Sequence, residues 1–236
     1  MPNGESELRI CYVDAFSGIS GDMTVGALVD AGADAEAIRK GLDSLNTGAE
    51  FSFERTKRKG IAAIEFRVHG GERTTHRHLP QILRTIDSAA LPEAAKQIAT
   101  AVFESLAEAG AAIHDVDSIC DIVATGHALV LLDVDEVRNS AINIGGGTIQ
   151  ADQGILPVPA TASAKLLAGK PIYSRGPQVE LTTPTGAAIL SALSLASGPI
   201  PPMYLHSTGY GAGVRDFPEH ANVLRVLIGD SHGSTS

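Results

Sequence analysis

Residues 8–13, Leu-Arg-Ile-Cys-Tyr-Val, form a short apolar run rich in β-branched and aromatic positions, closed by Asp14. A run this short and this sharply ended reads as a strand. After Asp22 the apolar spacing turns helical, with Met23, Ala27, Leu28 and Ala31 on one face. The small residues between make the whole a strand, a tight loop and a helix start. Further along, the pattern predicts a helix over 35–45, ended by Asn46-Thr47-Gly48, and a hairpin from 51–55 and 61–69 across Arg58-Lys59-Gly60. Helices follow from Pro80 to about 88, over 91–109 and over 117–132. A strand over 137–144 runs into Gly145-Gly146-Gly147. Beyond it come a helix over 160–167, a short strand at 172–174, a helix over 184–195 capped by Thr183, an extended stretch at 203–214 and a closing strand at 222–228. These elements predict an α/β fold: a mixed sheet with helices, in a compact α+β or α-β sandwich. No repeat or linker divides residues 8–229, which read as one domain between disordered tails at 1–7 and 230–236.

Composition narrows the chemistry. With no Trp, 6 Phe and 4 Tyr, the core must be built from Ala, Leu, Ile and Val. Against 27 acidic residues stand 18 basic ones, a formal charge of −9, and the one basic cluster, 55–59, is short. That balance argues against a nucleic-acid partner. No apolar segment is long enough to span a bilayer and no export signal is legible, so a cytoplasmic small-molecule or metal role is expected. Cys11 and Cys120 lie in apolar runs without zinc-type spacing and read as buried thiols.

Three stretches concentrate polar chemistry. The first is the loop Asp14-Ala-Phe-Ser-Gly-Ile-Ser-Gly-Asp22. Backbone N–H groups at a helix start favour an anion, whereas two carboxylates repel one, and a bridging cation reconciles them. The plainer alternative is that Asp22 caps the helix and Asp14 ends the strand. The second is His76-Arg-His78, where two imidazoles on one short loop can share nickel, zinc or copper, although the positive end of the following helix opposes a cation. The third is Glu180-Leu-Thr-Thr-Pro-Thr-Gly186, a capped helix start with a carboxylate and three hydroxyls beside it. Asp117 and Asp121, four apart on one helix face, are a further carboxylate pair, with Asp117 also a candidate N-cap. Gly209-Tyr-Gly-Ala-Gly presents a surface with almost no side chains.

Taken in order, the loop at 14–23, His76-Arg-His-Leu, Asp117-Ser-Ile-Cys-Asp-Ile-Val, Leu156-Pro-Val-Pro-Ala, Glu180-Leu-Thr-Thr-Pro-Thr-Gly and Gly209-Tyr-Gly-Ala-Gly-Val-Arg-Asp resemble the N-terminal region of the LarC-type nickel-insertion proteins, over residues 8–229. The resemblance implies nickel insertion into pyridinium-3,5-bisthiocarboxylate mononucleotide with consumption of CTP and a divalent cation. It implies roles for Asp14, Asp22 and Glu180 at the reacting site, for Ser17, Gly18, Ser20 and Gly21 with Thr182, Thr183 and Thr185 around the nucleotide, and for His76 and His78 as nickel ligands. Where the family carries a His/Glu-rich stretch before Asp117 this chain has Ala111-Ala-Ile-His-Asp-Val, and Gln153 stands where the family tends to have His. Weak nickel binding by this chain is therefore expected, with CTP turnover dependent on a separate polypeptide bearing the family's C-terminal domain. A homo-oligomer, a non-catalytic metal-binding or scaffold paralogue, and a phosphate-ester hydrolase built on Asp14 and Asp22 stay open as alternatives.

Overall fold

The expected first strand is β1, Arg9–Asp14, and it lies inside a seven-stranded mixed sheet. The computed structural model describes residues 7–71, 78–111, 116–151 and 154–231. In chain order the remaining elements are α1 (Gly21–Asp30), α2 (Ala35–Asp43), β2 (Ala49–Arg58), β3 (Ile61–Gly70), α3 (Leu79–Ser88), α4 (Glu93–Glu108), α5 (Val116–Leu131), β4 (Glu136–Asn139), β5 (Ile142–Asn143), β6 (Thr148–Ala151), β7 (Gly154–Pro157), α6 (Thr161–Leu166), β8 (Ile172–Tyr173), α7 (Pro184–Leu193), β9 (Ser194–Ser197), β10 (Met203–Ala212) and β11 (Val223–Ser231). The large sheet runs β2-β3-β10-β11-β1-β4-β9. Its β2/β3, β10/β11 and β11/β1 pairs are antiparallel; β3/β10, β1/β4 and β4/β9 are parallel. Two-stranded pairs β5/β8 and β6/β7 stand apart from it. The fold is of the α/β class.

Strand alternation decides where the core lies. Cys11 and Val13 of β1 and Leu224, Val226 and Ile228 of β11 belong to one apolar cluster with residues of α1, α2, α4, α5 and α7. Burial of these aliphatic side chains is the main stabilising term, at about 25 cal/mol per Å² of apolar surface. Helix α2 starts where Asp34 accepts hydrogen bonds from the N–H groups of Glu36 (2.9 Å) and Ala37 (3.3 Å), and α7 where Thr183 accepts from Gly186 N (3.2 Å).

Four expectations are corrected. The strand expected over 137–144 is broken: Ser140 N donates to Val13 O (2.9 Å), the chain leaves the large sheet there, and Ile142–Asn143 pair with β8 instead. The β6/β7 hairpin was not foreseen, and neither was β9, which takes over where α7 stops at Leu193. Asp117 stands inside the first turn of α5, not at its N-cap. Asp230 and Ser231 belong to β11 and not to a tail, while 1–6 and 232–236 lie outside the described residues.

The glycine run at 209–213 has a packing role. A Cβ on Gly211 would overlap the carbonyl oxygen of Met23, and one on Gly209 would overlap that of Ala27. Helix α1 therefore rests directly on the backbone of β10, which sets the position of its N-terminus. Gly211→Ala is expected to lower stability by about 1–3 kcal/mol in urea denaturation. Gly198→Ala, at a position with open space around it, should stay within about 0.5 kcal/mol of the parent. Equal stability of the two variants would contradict this packing.

Candidate functional site

The loop after β1 and the stretch before α7 are far apart in sequence and bound together in space. Ile19 N donates to Leu181 O (3.1 Å) and Thr183 N donates to Ile19 O (3.0 Å), a short parallel bridge. Gly18 lies at φ +78°, where a side chain would be strained, and a Cβ there would strike the backbone of Leu181. A Cβ on Gly186 would strike the carbonyl of Ile19. The close approach aligns the starts of two helices: Ser20 is the N-cap of α1 and Thr183 that of α7.

Both caps line a cleft of about 530 Å³, together with Asp22, Glu180, Arg215 and Phe217. Asp22 accepts a hydrogen bond from the Ser20 hydroxyl. Burial pushes its carboxyl above the usual range, Ser20 and the N–H groups of the first turn oppose that, and the charge of Glu65 adds to it. Glu180 is likewise raised, first by burial, against hydrogen bonds from Ala160 N (3.4 Å) and the Ser163 hydroxyl (3.3 Å) and the charge of Arg215. Glu180 thus ties down the start of α6, whereas the sequence had placed it beside α7. The cleft combines two carboxylates, three hydroxyl side chains (Ser20, Thr148 and Thr183), two helix N-termini and a guanidinium. Such a set can hold a hard or borderline divalent cation on oxygen and an anionic group on N–H donors.

The other candidates distribute differently. Asp14 is not in the cleft but pairs with Arg225 across the β1/β11 register, Nε–Oδ2 being 3.0 Å with a second contact from the other guanidinium nitrogen. Its charge is thereby balanced, which removes much of the repulsion an anion would meet at this loop. Ser17 is fully buried and its hydroxyl lies 2.6 Å from His220 Nε2. Thr182 is buried and donates to Asn143 O (2.8 Å). Thr185 meets Ser118 of α5 at 3.4 Å. Gly21 packs against Asp121, leaving no room for a side chain. His78 is exposed at the N-cap of α3, its N–H donating to Gln81 (3.3 Å), and His76 lies outside the described residues. Among the described residues no group of three or more His, Cys, Asp or Glu is placed to hold a metal ion. Sequence reasoning missed Arg215 and His220, although Arg215 lies in the Gly-Val-Arg-Asp stretch that carried the resemblance.

Asp121 sits behind the cleft. Burial first, and then the charges of Asp22 and Asp117, hold its carboxyl well above the usual range, against a hydrogen bond from the Asp22 N–H. Between the ordinary carboxylate value of about 4 and that raised value the folded chain binds more protons than the unfolded one. Stability therefore falls as pH rises through that window and levels off above it. In the metal-free protein, Asp121→Asn should lose less stability between pH 5 and pH 7 than the parent in urea denaturation. Identical slopes would contradict the protonation assigned to Asp121.

The family model described as "Nickel insertion protein" matches residues 11–236. A putative nickel insertion protein of Geobacter metallireducens is 41% identical over 242 residues, covering 96% of this chain and 62% of the relative. The pyridinium-3,5-bisthiocarboxylic acid mononucleotide nickel insertion protein of Geobacillus kaustophilus is 41% identical over 253 residues, 97% of this chain and 62% of the relative. A putative nickel insertion protein of Geobacter sulfurreducens is 41% identical over 239 residues. The chain spans about 62% of the length of these curated relatives. No solved structure matches.

Proposed function

The chain belongs to the nickel insertion protein family, and on that premise we propose that it inserts nickel into a small nucleotide-derived cofactor precursor, with the cleft of Asp22 and Glu180 as the place where the metal is passed on. The observation that carries this reading is the Ile19–Thr182 bridge, which puts Asp22 and Glu180, each from a different stretch, into one cleft with two helix N-termini. Nickel here is cargo. A site that hands metal over needs ligands that hold it weakly, with protons competing for the same oxygens, and coordination positions left open for the acceptor. Two carboxylates whose proton affinity is raised, with no third His, Cys, Asp or Glu grouped with them among the described residues, suit weak and transient holding.

The acceptor in this reading is the pyridinium bisthiocarboxylate mononucleotide after which the Geobacillus relative is named. Deprotonated sulfur takes nickel from oxygen because the softer ligand binds it more strongly. Ser20, Thr183 and Arg215 would hold an anionic group beside the metal, and His76 with His78 would deliver nickel to it. CTP use, with its own divalent cation, is assigned to the part of the relatives that this chain does not span, since an acidic cleft is a poor seat for a triphosphate. A non-catalytic metal-binding paralogue is the rival outcome.

The test is nickel incorporation into that mononucleotide, followed by absorbance, with nickel, CTP and the remaining part of a relative supplied. Loss of even an outer partner of a metal ligand costs about 10–100-fold, so Asp22→Asn and Glu180→Gln should each lower the rate by about 100-fold or more while leaving the fold intact by circular dichroism. Full activity in both variants would remove the cleft from the reaction. An inactive parent under these conditions would favour the non-catalytic paralogue.

A further inference from the structure

A second cavity, of about 670 Å³, shares Phe217 with the acidic cleft. Its lining includes Phe16, Tyr173, Arg175, Glu219 and His220. Nothing in the reading above uses it, and its composition differs from the cleft in a definite way. Three aromatic rings line it, with one guanidinium and one carboxylate.

The cavity is held open by its own frame. Asn143 is almost wholly buried, and its amide uses all four hydrogen-bonding positions: Nδ2 donates to Phe16 O and Arg175 O, both 2.9 Å, and Oδ1 accepts from Gly145 N and Arg175 N, both 3.1 Å. One side chain thus fixes the backbone of Phe16 to that of Arg175, 159 positions later in the chain. The Tyr173 hydroxyl also donates to Phe16 O (3.4 Å), and Ser17 holds His220 at 2.6 Å. Walls tied together before a ligand arrives reduce the ordering cost of binding.

The charges say what fits. Among the described residues no carboxylate pairs with the Arg175 guanidinium. It stands exposed on the cavity wall, free to take one phosphate or carboxylate in a bidentate contact. Aromatic faces attract a flat ring, and a ring with formal positive charge more strongly. Glu219 adds to that preference and works against a polyanion such as a triphosphate. His220 is pushed toward its neutral form by burial and then by Arg175, so it contributes a hydrogen-bonding group without charge. The volume is in the range of small-ligand pockets.

We infer that this cavity binds a flat cationic ring joined to a single phosphate, a pyridinium-type mononucleotide, with the ring against Phe16, Tyr173 and Phe217 and the phosphate on Arg175. The inference rests on the functional reading in one respect: the Geobacillus relative is named for a ligand of this class. It adds a location. The organic acceptor occupies the aromatic cavity, the metal occupies the acidic cleft, and Phe217 stands at their common wall.

The probes are nicotinic acid mononucleotide, CMP and ribose 5-phosphate, each titrated calorimetrically into the 236-residue chain without metal. The pyridinium nucleotide should bind at least about tenfold more tightly than CMP or ribose 5-phosphate. Arg175→Gln should weaken it by about tenfold or more, Tyr173→Leu should weaken it, and Tyr173→Phe should retain the affinity. Asp22→Asn should leave it unchanged. Equal affinity for CMP, no binding at millimolar concentration, or indifference to Arg175→Gln would overturn the inference. Loss of binding in Asp22→Asn would overturn it too, by moving the nucleotide into the cleft. Nickel insertion is not read in this experiment, so its failure leaves the assignment of the acidic cleft standing, and failure of the insertion assay leaves this binding result standing.

Discussion

Two backbone hydrogen bonds, Ile19 N to Leu181 O and Thr183 N to Ile19 O, hold the rest of the site in place. They form only because Gly18 and Gly186 remove the side chains that would keep the two segments apart. Bringing them together forces the N-termini of α1 and α7 toward one cleft. Two positive helix ends in one place are unfavourable unless negative charge accompanies them. Asp22 supplies it from the first turn of α1, and Glu180 supplies it next to α6 and the approach to α7. Both carboxylates are partly withdrawn from water in doing so, which raises their proton affinity. Affinity for a proton and availability to a metal are thus set by the same burial.

A second backbone contact fixes where that cleft opens. Gly209 and Gly211 let α1 lie against β10 with no side chain between them, and β10 pairs with β11, which carries Arg225 opposite Asp14. The loop between β1 and α1 is therefore clamped at both ends, by an ion pair at Asp14 and by helix packing after Asp22. Between the clamps, the early and late residues of the loop face different spaces. Phe16 lines the aromatic cavity and Ser17 reaches it through His220, while Ser20 and Asp22 line the acidic cleft. One short loop serves both cavities.

Much of this was legible in the sequence where signals were local. The apolar run before Asp14, the change of period after Asp22, the hairpin turn at Lys59-Gly60 and the Thr183 cap each depend on neighbours within a few residues, and each appears in the structure near its expected position. The loop at 17–22 and the stretch at 180–185 were also legible as chemistry, by motif, but their joining was not. Glu180 was read against the nearest helix and in fact serves α6, whose start lies 20 residues earlier. Thr182 and Thr185 looked equivalent to Thr183, yet one faces Asn143 and the other Ser118, a difference set by tertiary contacts alone. The glycine run at 209–213 suggested a bare surface; a helix lies on it. Asn143 gave no signal because a single amide inside an apolar run looks like any strand residue. The break at Ser140 was hidden for the same reason.

In the proposed reading, nickel is held by oxygen ligands in the cleft between the two helix starts, and not by the histidines ahead of α3. Anomalous diffraction at the nickel absorption edge, on crystals of this chain soaked in nickel near neutral pH, tests it most directly. An anomalous peak is expected within coordination distance of the carboxylates of Asp22 and Glu180, absent in crystals of Asp22→Asn. A peak at His78, with none in the cleft, would contradict it.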